Sequence, residues 1–186
     1  MALTESERTR AKYLVAALGA GTVLYLLTRF SVGRRPLRTD APGWQRSQGV
    51  IAKLHPSIQP MAQQTISEAW NQGIPLVVAS GLRTYAEQQA LFDQGRTKPG
   101  AIVTNSRPGD SWHNHGLAFD VAVLDASNKP TWPNDLSLWS KIGAIGKAQG
   151  LSWGGDWKGF VDRPHFEFHP GMTLADAKAG KRPAIA

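Results

Sequence analysis

Two short segments constrain the fold more than any other part of the chain. In LAFDVAV, residues 117–123, the bulky Leu117, Phe119, Val121 and Val123 alternate with Ala118, Asp120 and Ala122. Successive side chains of a strand point to opposite sides of a sheet, so this period of two makes one apolar face and one nearly bare face. HFEF, residues 165–168, has the same parity, with Phe166 and Phe168 on one side and His165 and Glu167 on the other. Aspartate is disfavoured in strands, and this one sits between two alanines that leave room around it. If the two strands pair, Asp120 and His165 converge on one polar face. The alternative for Asp120 is an edge strand that turns it to solvent.

Helices account for much of the remaining pattern. Ser57 to Gln72 places Ile58, Met61, Ala62, Thr65, Ile66, Ala69 and Trp70 at helical spacing before Gly73. PLVVAS, residues 75–80, reads as a buried strand. Thr84 to Gln94 reads as a helix, with Thr84 and Glu87 in a capping-box pattern and Gly95 as the stop. Lys98 to Asp110 is a Gly/Pro-containing loop. Leu136 to Gln149 is a further helix, with Leu138, Trp139, Ile142 and Ile145 on one side. Few, irregularly spaced strands among helices read as α+β, a small antiparallel sheet flanked by helices rather than a doubly wound sheet.

Charge divides the chain. The net +7 belongs to the ends: residues 1–46 carry eight Lys/Arg against three Asp/Glu, and residues 171–186 carry three against one. Residues 47–170 carry ten of each and are neutral. A nucleic-acid surface wants a basic face on the folded body, so no nucleic-acid partner is expected. Tyr13 to Thr28 is sixteen residues without a charge, between Lys12 and Arg29. A bilayer span takes about 20 apolar residues, so this run is short and relies on flanking residues that snorkel. The expected layout is an N-terminal membrane segment over 1–30 and a basic Pro/Gly linker over 31–46. A single domain over 47–170 and a C-terminal tail over 171–186 follow. A cleaved signal peptide is the alternative for the first segment, though no A-x-A site follows the apolar run. Arginines flank the run on both sides, which leaves its orientation open.

The polar face has the makings of a metal site. His113 and His115 lie just before the first strand, where a loop can fold an imidazole over Asp120 and His165. Two histidines and one aspartate make a three-ligand set with a fourth position open, the form of catalytic rather than structural zinc sites. The chain has no cysteine, so thiolate ligands are excluded.

Ser111-x-His113-x-x-Gly116-x-Ala118-x-Asp120 resembles the S-x-H-x-x-G-x-A-x-D signature of zinc D-Ala-D-Ala and L-alanyl-D-glutamate peptidases, a family that includes phage endolysins. Asp162-x-x-His165 in VDRPHFEF is similar to its second motif. SGLRTYAEQQALFDQGRT (80–97) and WGGDW (153–157) look like the L-alanyl-D-glutamate endopeptidase branch. The resemblance spans about Leu54 to Phe168, in the family's order. It implies the hedgehog/D-Ala-D-Ala-peptidase-like fold, with His113, Asp120 and His165 as zinc ligands and His113 chosen over His115. It implies Asp162 as the general base, where many members have Glu, and Arg83 as support for the developing oxyanion. Gln88 and Ser111 become substrate-binding residues. An ion pair between Asp162 and Arg163 is the structural alternative for Asp162.

The expected activity is zinc-dependent hydrolysis of peptidoglycan stem peptides in the periplasm or cell wall, between L-Ala and D-Glu, by a membrane-associated phage lysis enzyme of the signal-arrest type. The alternatives are a D-Ala-D-Ala carboxypeptidase, a virion-associated or host wall-remodelling peptidase, or a non-catalytic wall-binding zinc module. Oligomeric state is open, with a monomer possible.

Overall fold

The computed structural model describes residues 35–184. Strand β1 (Leu76–Ser80) pairs antiparallel with β2 (Ala118–Leu124), the longest strand. Along the other edge of β2 lie the short β3 (Pro130–Thr131) and, against its first half, β5 (His165–Glu167). The two-residue β4 (Ser152–Trp153) completes the path β1-β2-β5-β4, and every pairing is antiparallel. This is the α+β arrangement that the alternation implied.

The bulky face of the sheet forms the core. Phe119, Val121 and Phe166 are buried there with Ile66 of helix α2 (Gln59–Asn71) and with Trp139 and Ile142 of helix α4 (Leu136–Ala148). The Phe119 and Phe166 rings lie 5.6 Å apart. Burying a side chain of this size contributes about 1.5–3 kcal/mol, so this face supplies much of the drive to fold. Helix α4 approaches closely because Gly146 has no Cβ, which would lie 2.2 Å from the Phe166 ring. Between β1 and β2, helix α3 (Tyr85–Asp93) starts at the capping box of Thr84 and Glu87.

The boundaries differ from expectation at both ends. The compact unit begins at Leu37, so residues 37–46 of the segment read as linker over 31–46 belong to it. Helix α1 (Trp44–Ile51) buries Trp44, Ser47 and Ile51. The Ser47 hydroxyl accepts from Val78 N–H at 2.9 Å and donates to Gly43 C=O at 2.6 Å, which ties the helix to β1. The tail also folds. Helix α5 (Leu174–Lys178) has its own capping box from Thr173 and Asp176, buries Ala177, and Lys178 pairs with Asp110. Among the described residues no helix is long and apolar enough to cross a membrane. The membrane segment expected over 1–30 lies outside the described residues.

Candidate active site

The register of β2 and β5 sets Asp120 directly opposite His165, and Ala118 opposite Glu167. His113 comes from a 3-10 turn, Trp112–His115, in which the Ser111 side chain accepts from the His113 N–H. Its ring is held by Nδ1–H donating to the Gly81 carbonyl at 2.8 Å. That bond leaves the lone pair on Nε2, aimed at the sheet. The His165 ring is held from its far side, with Nε2–H donating to the Glu167 carboxylate at 3.0 Å. Its Nδ1 therefore faces inward.

Three donor atoms meet as a result. His113 Nε2 lies 3.2 Å from Asp120 Oδ1 and 3.2 Å from His165 Nδ1, and His165 Nδ1 lies 3.1 Å from Asp120 Oδ1. Both outer ring nitrogens already donate elsewhere, so once both imidazoles are neutral the triangle brings three electron pairs together with no proton among them. A cation is what such a triangle requires. Bonds of about 2.0–2.1 Å from one metal ion put neighbouring tetrahedral ligands about 3.3 Å apart, close to the observed edges. The donor set fits a divalent metal, and its nitrogen and oxygen composition suits one of borderline softness. Without a metal, a proton on His165 Nδ1 can hold the cluster together.

Electrostatics follow from that crowding. Burial opposes charge on His165, but its bonds to Asp120 and Glu167 outweigh burial and push the imidazole up to about 9. Burial alone would raise Asp120, yet the two histidines hold its carboxyl far below the usual range. Asp162 moves the other way. Burial first, and then the negative charge of Asp120, push its carboxyl above its ordinary value, against the pull of His165, His113 and Arg83. Two carboxylates in one cleft are thus driven apart in acidity, the pattern that separates a fixed charge from a proton acceptor.

Asp162, Arg83, Ser111, His113, Asp120 and His165 all line one cleft of about 430 Å³. Asp162 is placed by backbone bonds: its N–H donates to Gly154 C=O at 3.0 Å, and its own C=O accepts from His165 N–H at 3.3 Å. Gly154, within WGGDW, permits this approach, since a Cβ there would lie 2.4 Å from the Asp162 carbonyl oxygen and 3.1 Å from His165 Cβ. Arg83 reaches Asp120 Oδ2 at 3.4 Å and Ser80 Oγ at 3.3 Å.

Gln88, read as a substrate-binding residue, is fully buried; its Oε1 accepts from Arg83 at 2.8 Å and its Nε2 donates to Ser106 C=O at 2.8 Å, which ties Arg83 to the loop. Ser111 spends its hydroxyl on the cap of the His113 turn. His115 is buried and bonded to Gly109 C=O at 3.1 Å, away from the donor triangle. Trp153 packs in the core, whereas Trp157 lies over His165 at 4.9 Å.

Behind His165 lies a chain of contacts that begins at Glu167. Glu167 accepts from His165 through one oxygen and from His169 through the other, at 2.9 Å. The His169 ring stacks flat on Trp112, 4.1 Å away and 4° from parallel. Parity put Glu167 on the polar face, but nothing in the sequence paired Trp112 with His169.

Comparison with known proteins accords with this geometry. Residues 104–168 match the family model described as D-alanyl-D-alanine carboxypeptidase. The chain is 41% identical over 128 residues to the peptidoglycan L-alanyl-D-glutamate endopeptidase CwlK of Bacillus subtilis, covering 65% of this chain and 77% of that protein. It is 27% identical over 126 residues to the L-alanyl-D-glutamate peptidase of Listeria phage A118, covering 68% of this chain but only 42% of the phage protein. The crystal structure of the Serratia marcescens L-Ala D-Glu endopeptidase ChiX aligns with a TM-score of 0.48 at 20% identity, over 67% of this chain and 86% of that one. The identity to the Bacillus enzyme and the share of it that is matched place this chain in the D-alanyl-D-alanine carboxypeptidase family of metallopeptidases.

Proposed function

We propose that the chain is a zinc peptidase that hydrolyses the L-alanyl–D-glutamate bond of peptidoglycan stem peptides. The observation that carries this reading is the convergence of His113 Nε2, Asp120 Oδ1 and His165 Nδ1 beside a carboxylate pushed up in pKa. The bond cleaved is taken from the named activity of the two relatives. His113, Asp120 and His165 would hold the ion. Bound there, zinc supplies a Lewis acid that polarises the scissile carbonyl and acidifies water.

The chain's own residues supply the rest. Asp162 accepts the proton of the attacking water and passes it to the leaving amine, and a carboxyl pushed above its ordinary value is the better proton acceptor. Arg83, held by Gln88, offers its remaining N–H groups to the oxygen that gains charge on the attacked carbonyl. Glu167 keeps the His165 ring turned so that Nδ1 faces inward. Trp157 lies against the His165 ring at 4.9 Å and lines the same cleft.

Action in the cell wall or periplasm follows from the substrate. Similarity to the Listeria phage peptidase supports a role in phage lysis, and the uncharged run from Tyr13 to Thr28 supports a membrane segment over 1–30. The test is digestion of purified peptidoglycan by the full chain, zinc-loaded and chelator-treated, with mass spectrometry of the products. New D-glutamyl amino termini in the zinc-loaded sample alone are expected. Release of free D-alanine instead would point to a carboxypeptidase, and no new termini at all would sink the enzymatic reading.

A further inference from the structure

Residues 101–107 run from Gly100 to the turn at Pro108 without a bend and without a positive φ, yet they pair with no strand. Side chains take the place of a neighbouring strand along one side. Gln94 Nε2 donates to Ala101 C=O at 3.1 Å, Arg96 donates to Thr104 C=O at 3.0 Å and to Asn105 Oδ1 at 3.1 Å, and Gln88 donates to Ser106 C=O at 2.8 Å. The Ser106 N–H is taken by Thr104 Oγ1 at 3.2 Å. These bonds hold the segment straight and order it in advance of any ligand.

The other side is open. Among the described residues, neither the N–H nor the C=O of Val103 or Asn105 makes a hydrogen bond. Along an extended chain, successive residues turn their main-chain groups to opposite edges. With the Thr104 and Ser106 carbonyls bonded on the inner side, those of Val103 and Asn105 face away from it. Both residues line the cleft that holds Arg83, Asp120 and His165. The edge is also tied to the reacting end of that cleft, because the amide of Gln88 that holds Ser106 accepts from Arg83 at 2.8 Å.

An unpaired edge is a template for an extended chain, and this one lies in a cleft whose substrate is a peptide. We propose that Val103 and Asn105 pair through their main-chain groups with the main chain of the stem peptide, which lies along residues 103–105 as an added strand. Pairing of this kind reads amides rather than side chains. It fixes the direction and depth of the peptide beside Arg83 and leaves side-chain choice to other contacts. The inference rests on the reading of the cleft as a stem-peptide endopeptidase site.

The test uses the zinc-loaded full chain and a synthetic peptide, N-acyl-L-Ala–γ-D-Glu–L-Lys–D-Ala. Val103→Pro and Asn105→Pro each remove one open N–H and no internal main-chain bond, while Val103→Ala and Asn105→Ala keep the N–H and serve as references. Relative to its alanine reference, at least one proline variant raises KM by about 3- to 10-fold with little change in kcat, as expected for a lost hydrogen bond made equally in ground and transition states. Equal KM in the proline and alanine variants at both positions, with cleavage continuing, overturns the pairing and leaves the endopeptidase reading intact. No cleavage by the wild-type chain overturns both. If the proline variants do not fold, judged by thermal melting, peptides methylated on the amide nitrogen of L-Ala or of L-Lys decide on the wild-type chain. A raised KM for either supports the pairing, and an unchanged KM for both overturns it.

Discussion

The two faces of the β2–β5 pair are built from alternate residues of the same strands, yet they obey different rules. On one face Phe119 and Phe166 are wholly buried and meet ring to ring at 5.6 Å. That contact is non-directional and asks only for volume and shape. On the other face Asp120 and His165 meet at 3.1 Å, and each atom's role depends on a tautomer or a charge. The first face supplies stability. The second consumes some of it, because Asp162 is held where burial and the charge of Asp120 oppose its ionisation. One strand pair thus separates folding from chemistry by parity alone.

The largest effects should come from breaking the polar face while sparing the apolar one. Asp120→Ala or His113→Ala should weaken zinc affinity by more than the roughly 100-fold expected from losing an outer partner, and reduce hydrolysis to background. Chelator competition and product analysis measure the two effects, and far-UV circular dichroism should stay unchanged. Asp162→Asn should lower kcat by about 10²–10⁴-fold, the range for a general base. It should also stabilise the metal-free protein at neutral pH. The folded pKa of Asp162 is raised, so its penalty is present above that pKa and vanishes below the ordinary value of 3.8. Melting temperatures across pH should therefore show the variant's advantage at pH 7 fading as the solution is acidified.

Breaking the apolar face is the converse experiment. Phe166→Ala should cost about 3–5 kcal/mol in denaturant unfolding. Activity should fall only as far as the folded fraction does, after allowance for the adjacent His165. Smaller effects sharpen the boundary between the faces. Glu167→Gln or His169→Ala should weaken zinc binding by about 10- to 100-fold with little loss of stability. Finally, His165 holds its proton up to about 9, and a metal must displace it. Apparent zinc affinity should fall by about tenfold for each pH unit below that value, with one proton released per ion near neutrality. Proton release measured by calorimetry in buffers of different ionisation heat checks this.

How much of this was legible in the sequence also follows the two faces. Alternation in LAFDVAV and HFEF was enough to put Phe119 and Phe166 on one face and Asp120 and His165 on the other once the strands pair, but not to set the register, since a slip of two residues keeps both faces. The capping box at Thr84 was equally local. Helix α1 was not legible, because WQRSQGVI follows an Arg-, Pro- and Gly-rich stretch that reads as a linker, and its docking depends on burial of Trp44 and Ile51 and on Ser47 bonding to β1. The role of Gln88 was hidden for a similar reason. A glutamine in a capped helix looks like a surface residue until Arg83 and Ser106 are seen to take up its amide. The Trp112–His169 stack joins residues far apart in sequence that no periodicity relates.

The direct pairing of Asp120 with His165 bears on how the chain reaches its native alignment. Strand β5 has only three residues, so its ladder with β2 offers few hydrogen bonds to hold one register against its neighbours. A slip of one residue would set Phe119 or Val121 across from His165 and exchange the two faces. Only the correct alignment assembles three ligands, so binding of an ion adds free energy to that alignment and to no other. Metal loading thereby acts as a proofreader of strand register, and a chain folded in the presence of its ion should reach a single native alignment more cleanly than one folded without it.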